Sequence, residues 1–128
     1  MKEALRDQGR LEHILRAIDY ALCISEGKDI NTLSELDPIY FALVKNVEII
    51  GEASYMITND FKEKHLDTPW KKIVGMRHVL VHGYYEITKE DLWNVVQNDL
   101  QPLRAQVVEY LKEFEATEGL SEGNRSGR

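Results

Sequence analysis

Leu11, Ile14, Leu15, Ile18 and Leu22 recur at i, i+3, i+4 and i+7, the spacing that gathers apolar side chains on one face of an α-helix. This predicts a first helix from about Glu3 to Ser25, stopped by Gly27. A polar link leads to Asp37-Pro38, an N-cap residue followed by a proline suited to the first helical position. The second helix then carries Ile39, Leu43, Val47, Ile50 and Ala53 or Ser54 at helical spacing, and it frays near Thr58-Asn59-Asp60. Phe61 to His65 suggests one more short turn. Thr68-Pro69 repeats the cap-plus-proline start, and a third helix is expected from Trp70 to about His82, with Gly83 as its terminator. Thr88 with Asp91 resembles a capping box. It opens a fourth helix holding Leu92, Val95, Val96, Leu100, Leu103, Val107, Tyr110, Leu111 and Phe114. Pro102 should kink that helix, because it removes one backbone donor and crowds the preceding turn. No run alternates with period two, so no strand is predicted. The expected fold is all-α, an up-and-down four-helix bundle over residues 1–116, and residues 117–128 read as a disordered tail.

Composition fits one small globular domain: 128 residues, 43% hydrophobic and 30% charged. No apolar run approaches the roughly 18 residues of a membrane span, and Met1 to Asp7 has no apolar signal region. A cytoplasmic protein with no membrane partner is therefore expected. The single cysteine, Cys23, sits in an apolar helical context and reads as a small core residue. Zinc spacing, a P-loop and the dinucleotide fingerprint are all missing, so neither a metal nor a cofactor is expected.

A net charge of −6 argues against a general DNA or RNA coat, whose affinity comes from neutralising many phosphates. The charge is uneven, however. From Phe61 to His82, Lys62, Lys64, Lys71, Lys72 and Arg77 face only Glu63 and Asp67, a local excess of three positive charges. That patch fits a focused anionic ligand, and Lys71 and Lys72 are its candidate RNA-backbone contacts. A solvated helix face would carry the same charges.

Within this stretch Arg77-His78-Val79-Leu80-Val81-His82-Gly83-Tyr84 stands out. Arginine offers a permanent charge and a planar fork that matches a phosphate. Histidine exchanges a proton near neutral pH, and at a helix C-terminus the partial negative charge favours its protonated form. Such a pair is a minimal kit for metal-free phosphodiester cleavage, although a surface salt bridge and a satisfied histidine would place the same two residue types on a helix. The histidine takes the proton of a ribose 2′-OH, and the arginine steadies charge on the phosphoryl oxygens. On an ideal helix Arg77 and His82 point about 140° apart. Either the helix ends at Gly83 and frees the His82 ring, or the site is shared by two chains across a two-fold axis.

Several separated blocks extend this motif: Asn46-Val47-Glu48-Ile49-Ile50-Gly51-Glu52-Ala53, Pro69-Trp70, Ile73-Val74-Gly75-Met76-Arg77, Leu80-Val81-His82-Gly83-Tyr84 and Val96-Gln97-Asn98-Asp99-Leu100. In this order they resemble the HepT-like group of HEPN domains. The resemblance implies a homodimeric helical bundle with metal-independent ribonuclease character, the toxin of a toxin–antitoxin pair. It maps the catalytic pair to Arg77 and His82. Its usual partner is a minimal nucleotidyltransferase antitoxin of the MntA type, which would transfer AMP to Tyr84. An adenylyl group there would add bulk and negative charge beside the histidine. Many members carry Asn directly after the motif arginine, where this chain has His78.

Three further readings stay open. Glu52 is a candidate to orient the Arg77 fork, with Asn46 and His78 as further supporting groups. Trp70 is expected as a core staple, with a base-stacking platform as the alternative, and Trp93 as core or interface. RNA, not DNA, is the expected substrate. The alternative function is a non-catalytic helical dimer that binds a nucleotide or the antitoxin.

Overall fold

The computed structural model describes the backbone of residues 2–34, 36–77 and 89–126, and the side chains of 5–31, 33–34, 36–77 and 89–116. Apart from turns and links, the regular structure of these residues is helical, with no strand among them. The elements are α1 (Lys2–Ser25), a 3-10 turn (Ile30–Thr32), α2 (Pro38–Met56), α3 (Asn59–Lys64), α4 (Trp70–Gly75), α5 (Lys89–Asn94), a π turn (Val95–Asp99) and α6 (Leu100–Ser126). The all-α class read from the periodicity holds.

The predicted stripes are the core. Leu11, Ile14 and Ile18 of α1, Leu43, Val47 and Ile50 of α2, and Leu100, Leu103 and Val107 of α6 are all at most 2% exposed. α1 packs most extensively on α2 and also meets α6, while α2 holds α4. Each such side chain removed from water contributes about 1.5–3 kcal/mol, so the three stripes fix the arrangement of the long helices. Cys23 is a correction: it is exposed, because it lies five residues beyond Ile18 and so falls outside the stripe.

Local chemistry sets the boundaries. Gly27 takes a left-handed φ of 73°, which its missing Cβ permits, and the chain turns away from α1. The Asp37 carboxylate accepts from the Ile39 N–H at 2.9 Å, with Pro38 in the first helical position. Thr58 caps α3, accepting from Phe61 N–H at 3.2 Å. Asp7, 4% exposed, accepts both the Thr58 N–H at 2.9 Å and its hydroxyl at 2.7 Å. One buried carboxylate thus ties α1 to the turn that opens α3.

Thr68 departs from its expected role as a helix cap. Pro69 is the N-cap of α4 and no side chain caps it. The Thr68 hydroxyl is buried, donates to Gln106 Oε1 at 2.8 Å and lies 2.6 Å from the Tyr110 hydroxyl. Since its one proton goes to Gln106, the Tyr110 O–H donates to it. A tertiary demand from α6 overrides the local preference.

The third helix also ends earlier than the apolar pattern suggests. α4 stops at Gly75, and Met76 and Arg77 continue as a tight turn, their N–H groups donating to Ile73 and Val74 carbonyls at 3.0 and 3.1 Å. Arg77 thus lies just past the end of α4, not within it, and His82 lies outside the described residues. The expected stop at Gly83 and the Thr88 cap lie outside the described residues.

The effect of Pro102 takes the form of a π turn, where Leu100 N–H donates to Val95, five residues back. Asn98, whose carbonyl Pro102 leaves without its helical donor, lies in that turn. The buried steps Leu92, Val96, Leu100 are each longer than a 3.6-residue repeat, and the wider turn keeps them on one face. The α6 backbone is helical to Ser126.

Candidate functional site

Arg77 rests on α2. Its Cζ stands 3.8 Å from the centre of the Tyr55 ring, a cation–π distance. One helical turn earlier lies Gly51, and a side chain there would collide with the backbone. An ideal Cβ on Gly51 would overlap Arg77 N and lie 2.7 Å from Arg77 Cα and 2.8 Å from Met76 C. Gly51 and Tyr55 are four residues apart and share a face of α2. Together they form a ledge: the glycine admits the backbone, and the ring carries the guanidinium. Met76, 4% exposed, anchors the turn from the core side.

The guanidinium is half-buried, and among the described residues it ion-pairs with no carboxylate. A ring quadrupole orients it without consuming its N–H groups, so the fork is free to take two oxygens of a phosphate.

The other site residues of the sequence reading are dispersed. Glu52 is exposed and out of ion-pairing reach of Arg77; it lines a shallow cleft with Arg10, His13, Lys45, Glu48 and Met56. Asn46 donates from Nδ2 to the Ala42 carbonyl at 2.8 Å and faces the seam with α1. Lys71 is exposed. Lys72 pairs with Asp99 of the π turn at 3.1 Å, its side chain still 62% exposed. An ion pair that open contributes little and yields readily to a competing anion. Trp70 is 7% exposed and donates from Nε1 to the His65 carbonyl at 2.9 Å, which makes it a core staple and excludes the stacking-platform reading. Trp93 is half-buried against the core. His78, His82 and Tyr84 lie outside the described residues. Among the described residues no group of three His, Cys, Asp or Glu is placed to hold a metal ion, and no helix is long and apolar enough to cross a membrane.

Sequence reasoning missed the ledge itself. The available signal was a glycine inside the apolar run of α2, where it costs helix stability unless something approaches closely.

The sequence pattern of the HepT-like ribonuclease family matches residues 11–110. The chain is 36% identical over 97 residues to a candidate RNase of Methanocaldococcus jannaschii, covering 76% of this chain and 89% of that one. It is 33% identical over 102 residues to a candidate RNase of Caldanaerobacter subterraneus, covering 80% and 91%. A candidate ribonuclease HepT of Thermococcus cleftensis is 42% identical over 64 residues, covering 50% and 58%. No solved structure matches the chain significantly. The chain belongs to the HepT-like ribonuclease family.

Proposed function

We propose that this protein is a metal-independent endoribonuclease in which Arg77 and His82 act on one phosphodiester. The observation that carries the reading is the Arg77 guanidinium, oriented over Tyr55 with no carboxylate partner among the described residues, in a chain of a ribonuclease family. His82 takes the proton of the 2′-OH, and the 2′ oxygen attacks phosphorus. The phosphorus–5′ oxygen bond breaks, and the departing oxygen takes a proton from a second acid. The products are a 2′,3′-cyclic phosphate and a 5′-hydroxyl end. Arg77 holds the phosphoryl oxygens as their charge grows. A homodimer would bring two such pairs together. Lys71 and Lys72 would contact the flanking backbone.

The biological role that follows is a cytoplasmic toxin held in check by a nucleotidyltransferase antitoxin that transfers AMP to Tyr84. His78, in place of the Asn that the family resemblance implies, favours one second reading: a dimer that binds a nucleotide or the antitoxin without cutting.

The test is incubation of the purified protein with total RNA in excess chelator, beside an Arg77→Ala, His82→Ala double variant, with intact mass recorded for both. Cleavage by the wild type alone is the expected result. Unmodified wild-type protein that leaves RNA intact favours the second reading.

A further inference from the structure

Three arginines of α1, Arg6, Arg10 and Arg16, ion-pair with no carboxylate among the described residues, a condition they share with Arg77, whereas Lys45, Lys64, Lys72, Lys112 and Arg104 each do. Arg10 goes further: its Nε is buried and has no hydrogen-bond acceptor. Burying such a donor without a partner is costly, and a ligand oxygen would relieve it. With a net charge of −6 there is no shortage of carboxylates to neutralise these groups, yet among the described residues none ion-pairs with them.

The basic residues Arg6, Arg10, His13 and Arg16 follow one another at steps of four, three and three along α1. That keeps them, with Tyr20, within about 120° of one face over about 21 Å of helix. This face borders α2. Arg16, His13 and Tyr20 line a cavity of about 260 Å³ with Asn46, and its floor is Ala17 and Ile49. No carboxylate lines it. The seam continues past His13 and Ile49 to Arg10, Lys45, Glu48 and Glu52, where Glu48 is held by Lys45 at 3.6 Å. On the outer side of Arg16, Asp19 is held by Arg104 at 2.7 Å and Glu12 accepts from Gln8. Tyr20 is 58% exposed, an aromatic ring beside the unpaired Arg16, with Glu12 and Asp19 on its other side. Cations that track a backbone, with a ring to stack a base, are the two components of single-strand recognition.

We propose that the α1–α2 seam is a second binding site for single-stranded RNA, apart from the Arg77 ledge, in which Arg10, His13 and Arg16 face phosphates and Tyr20 stacks a base. The choice of RNA as ligand rests on the function proposed above; the binding surface does not.

The test measures binding of a short fluorescent oligoribonucleotide, 2′-O-methylated throughout so that it offers no nucleophile, across a salt series. Each phosphate contact on a single strand contributes about 0.7 to the slope of log affinity against log salt. The Arg10→Gln, Arg16→Gln variant is expected to lose about 1.4 from that slope, and to bind at least tenfold more weakly at low salt. Tyr20→Ala should weaken binding roughly tenfold with the slope unchanged. If the Arg10 change prevents folding, Arg16→Gln and Tyr20→Ala, both at exposed positions, carry the test alone. Equal affinity and slope in wild type and variants overturns the proposal, as does a wild type that does not bind. So does unaltered RNA binding with lost polyglutamate binding, which would give the seam to an acidic protein. A change in sedimentation mass in the variants would give it to a second copy of the chain, and overturns it too. A wild type that binds this probe in an arginine-dependent way but never cuts RNA overturns the ribonuclease reading and leaves the seam in place.

Discussion

Two regions close in sequence meet opposite demands. From Thr58 to Trp70 the inward-facing groups Thr58, Phe61, His65, Thr68 and Trp70 each have several partners. Phe61 stacks on His65 at 3.8 Å and meets Tyr110 edge-on at 5.5 Å. Trp70 lies 6.2 Å from Tyr110. His65 Nδ1 contacts the Phe61 carbonyl at 2.7 Å and Nε2 contacts Glu113 at 2.8 Å. This clamp fastens α3 and α4 to α6. Among the described residues the Arg77 ledge is held by fewer groups: the close approach at Gly51, the half-open ring of Tyr55 and the buried Met76 beside it. The lesson is that the chain concentrates its redundancy beside the site and leaves the chemical group itself uncommitted. An arginine satisfied by carboxylates would have nothing to offer a phosphate.

The clamp should carry the largest stability effect. Trp70→Ala removes a buried indole, and a loss of about 3–5 kcal/mol is expected, read by chemical denaturation. A loss below about 1 kcal/mol would mean the clamp is not what fastens α4.

Gly51→Ala probes the ledge directly. Its new methyl meets backbone, which cannot swing aside, so a cost of on the order of 1–3 kcal/mol is expected, together with a displaced Arg77. An alanine variant as stable as wild type would show that the approach is looser than the distances say.

Alkaline titration sharpens the comparison further. Burial raises the Tyr110 phenol above its ordinary value of 10.0, and the nearby Asp67 and Glu113 carboxylates add to the rise. The folded state therefore favours the neutral phenol. That stabilisation is fully present below about pH 10 and is lost as pH rises through the higher folded value. Denaturation midpoints of wild type should fall above that pH more steeply than those of Tyr110→Phe, which should itself be about 1 kcal/mol less stable at neutral pH. Parallel curves would remove the phenol from the clamp.

Arg77→Ala should be the mildest in stability. It loses one partly exposed cation–π contact worth about 0.5–1 kcal/mol, and calorimetry checks it. A larger loss would place Arg77 among the structural residues.

Much of the frame was legible because it obeys local rules. The α1 stripe, the Asp37-Pro38 start and the buried series from Leu92 to Tyr110 follow from periodicity and capping. What escaped depends on groups far apart in sequence. Thr68-Pro69 has the letters of a helix start, yet Gln106 and Tyr110 claim the hydroxyl. The apolar residues around Arg77 read as a continuous helix, yet α4 ends at Gly75, since a buried run alone does not fix backbone geometry. The candidate site was half legible. Residue types and spacing singled out Arg77, but its ledge depends on what packs on Gly51, which no local pattern records. Glu52 was the natural charged neighbour by sequence, and an aromatic ring holds the arginine instead.

The most direct test is the end chemistry of RNA cut by the wild type and by Arg77→Ala in excess chelator, with both proteins confirmed folded under the assay conditions. We predict 2′,3′-cyclic phosphate and 5′-hydroxyl ends from the wild type, and a rate at least about 100-fold lower from the variant. Cleavage at equal rates by both, or 5′-phosphate ends from the wild type, would contradict the assignment of Arg77 as the group that holds the reacting phosphate.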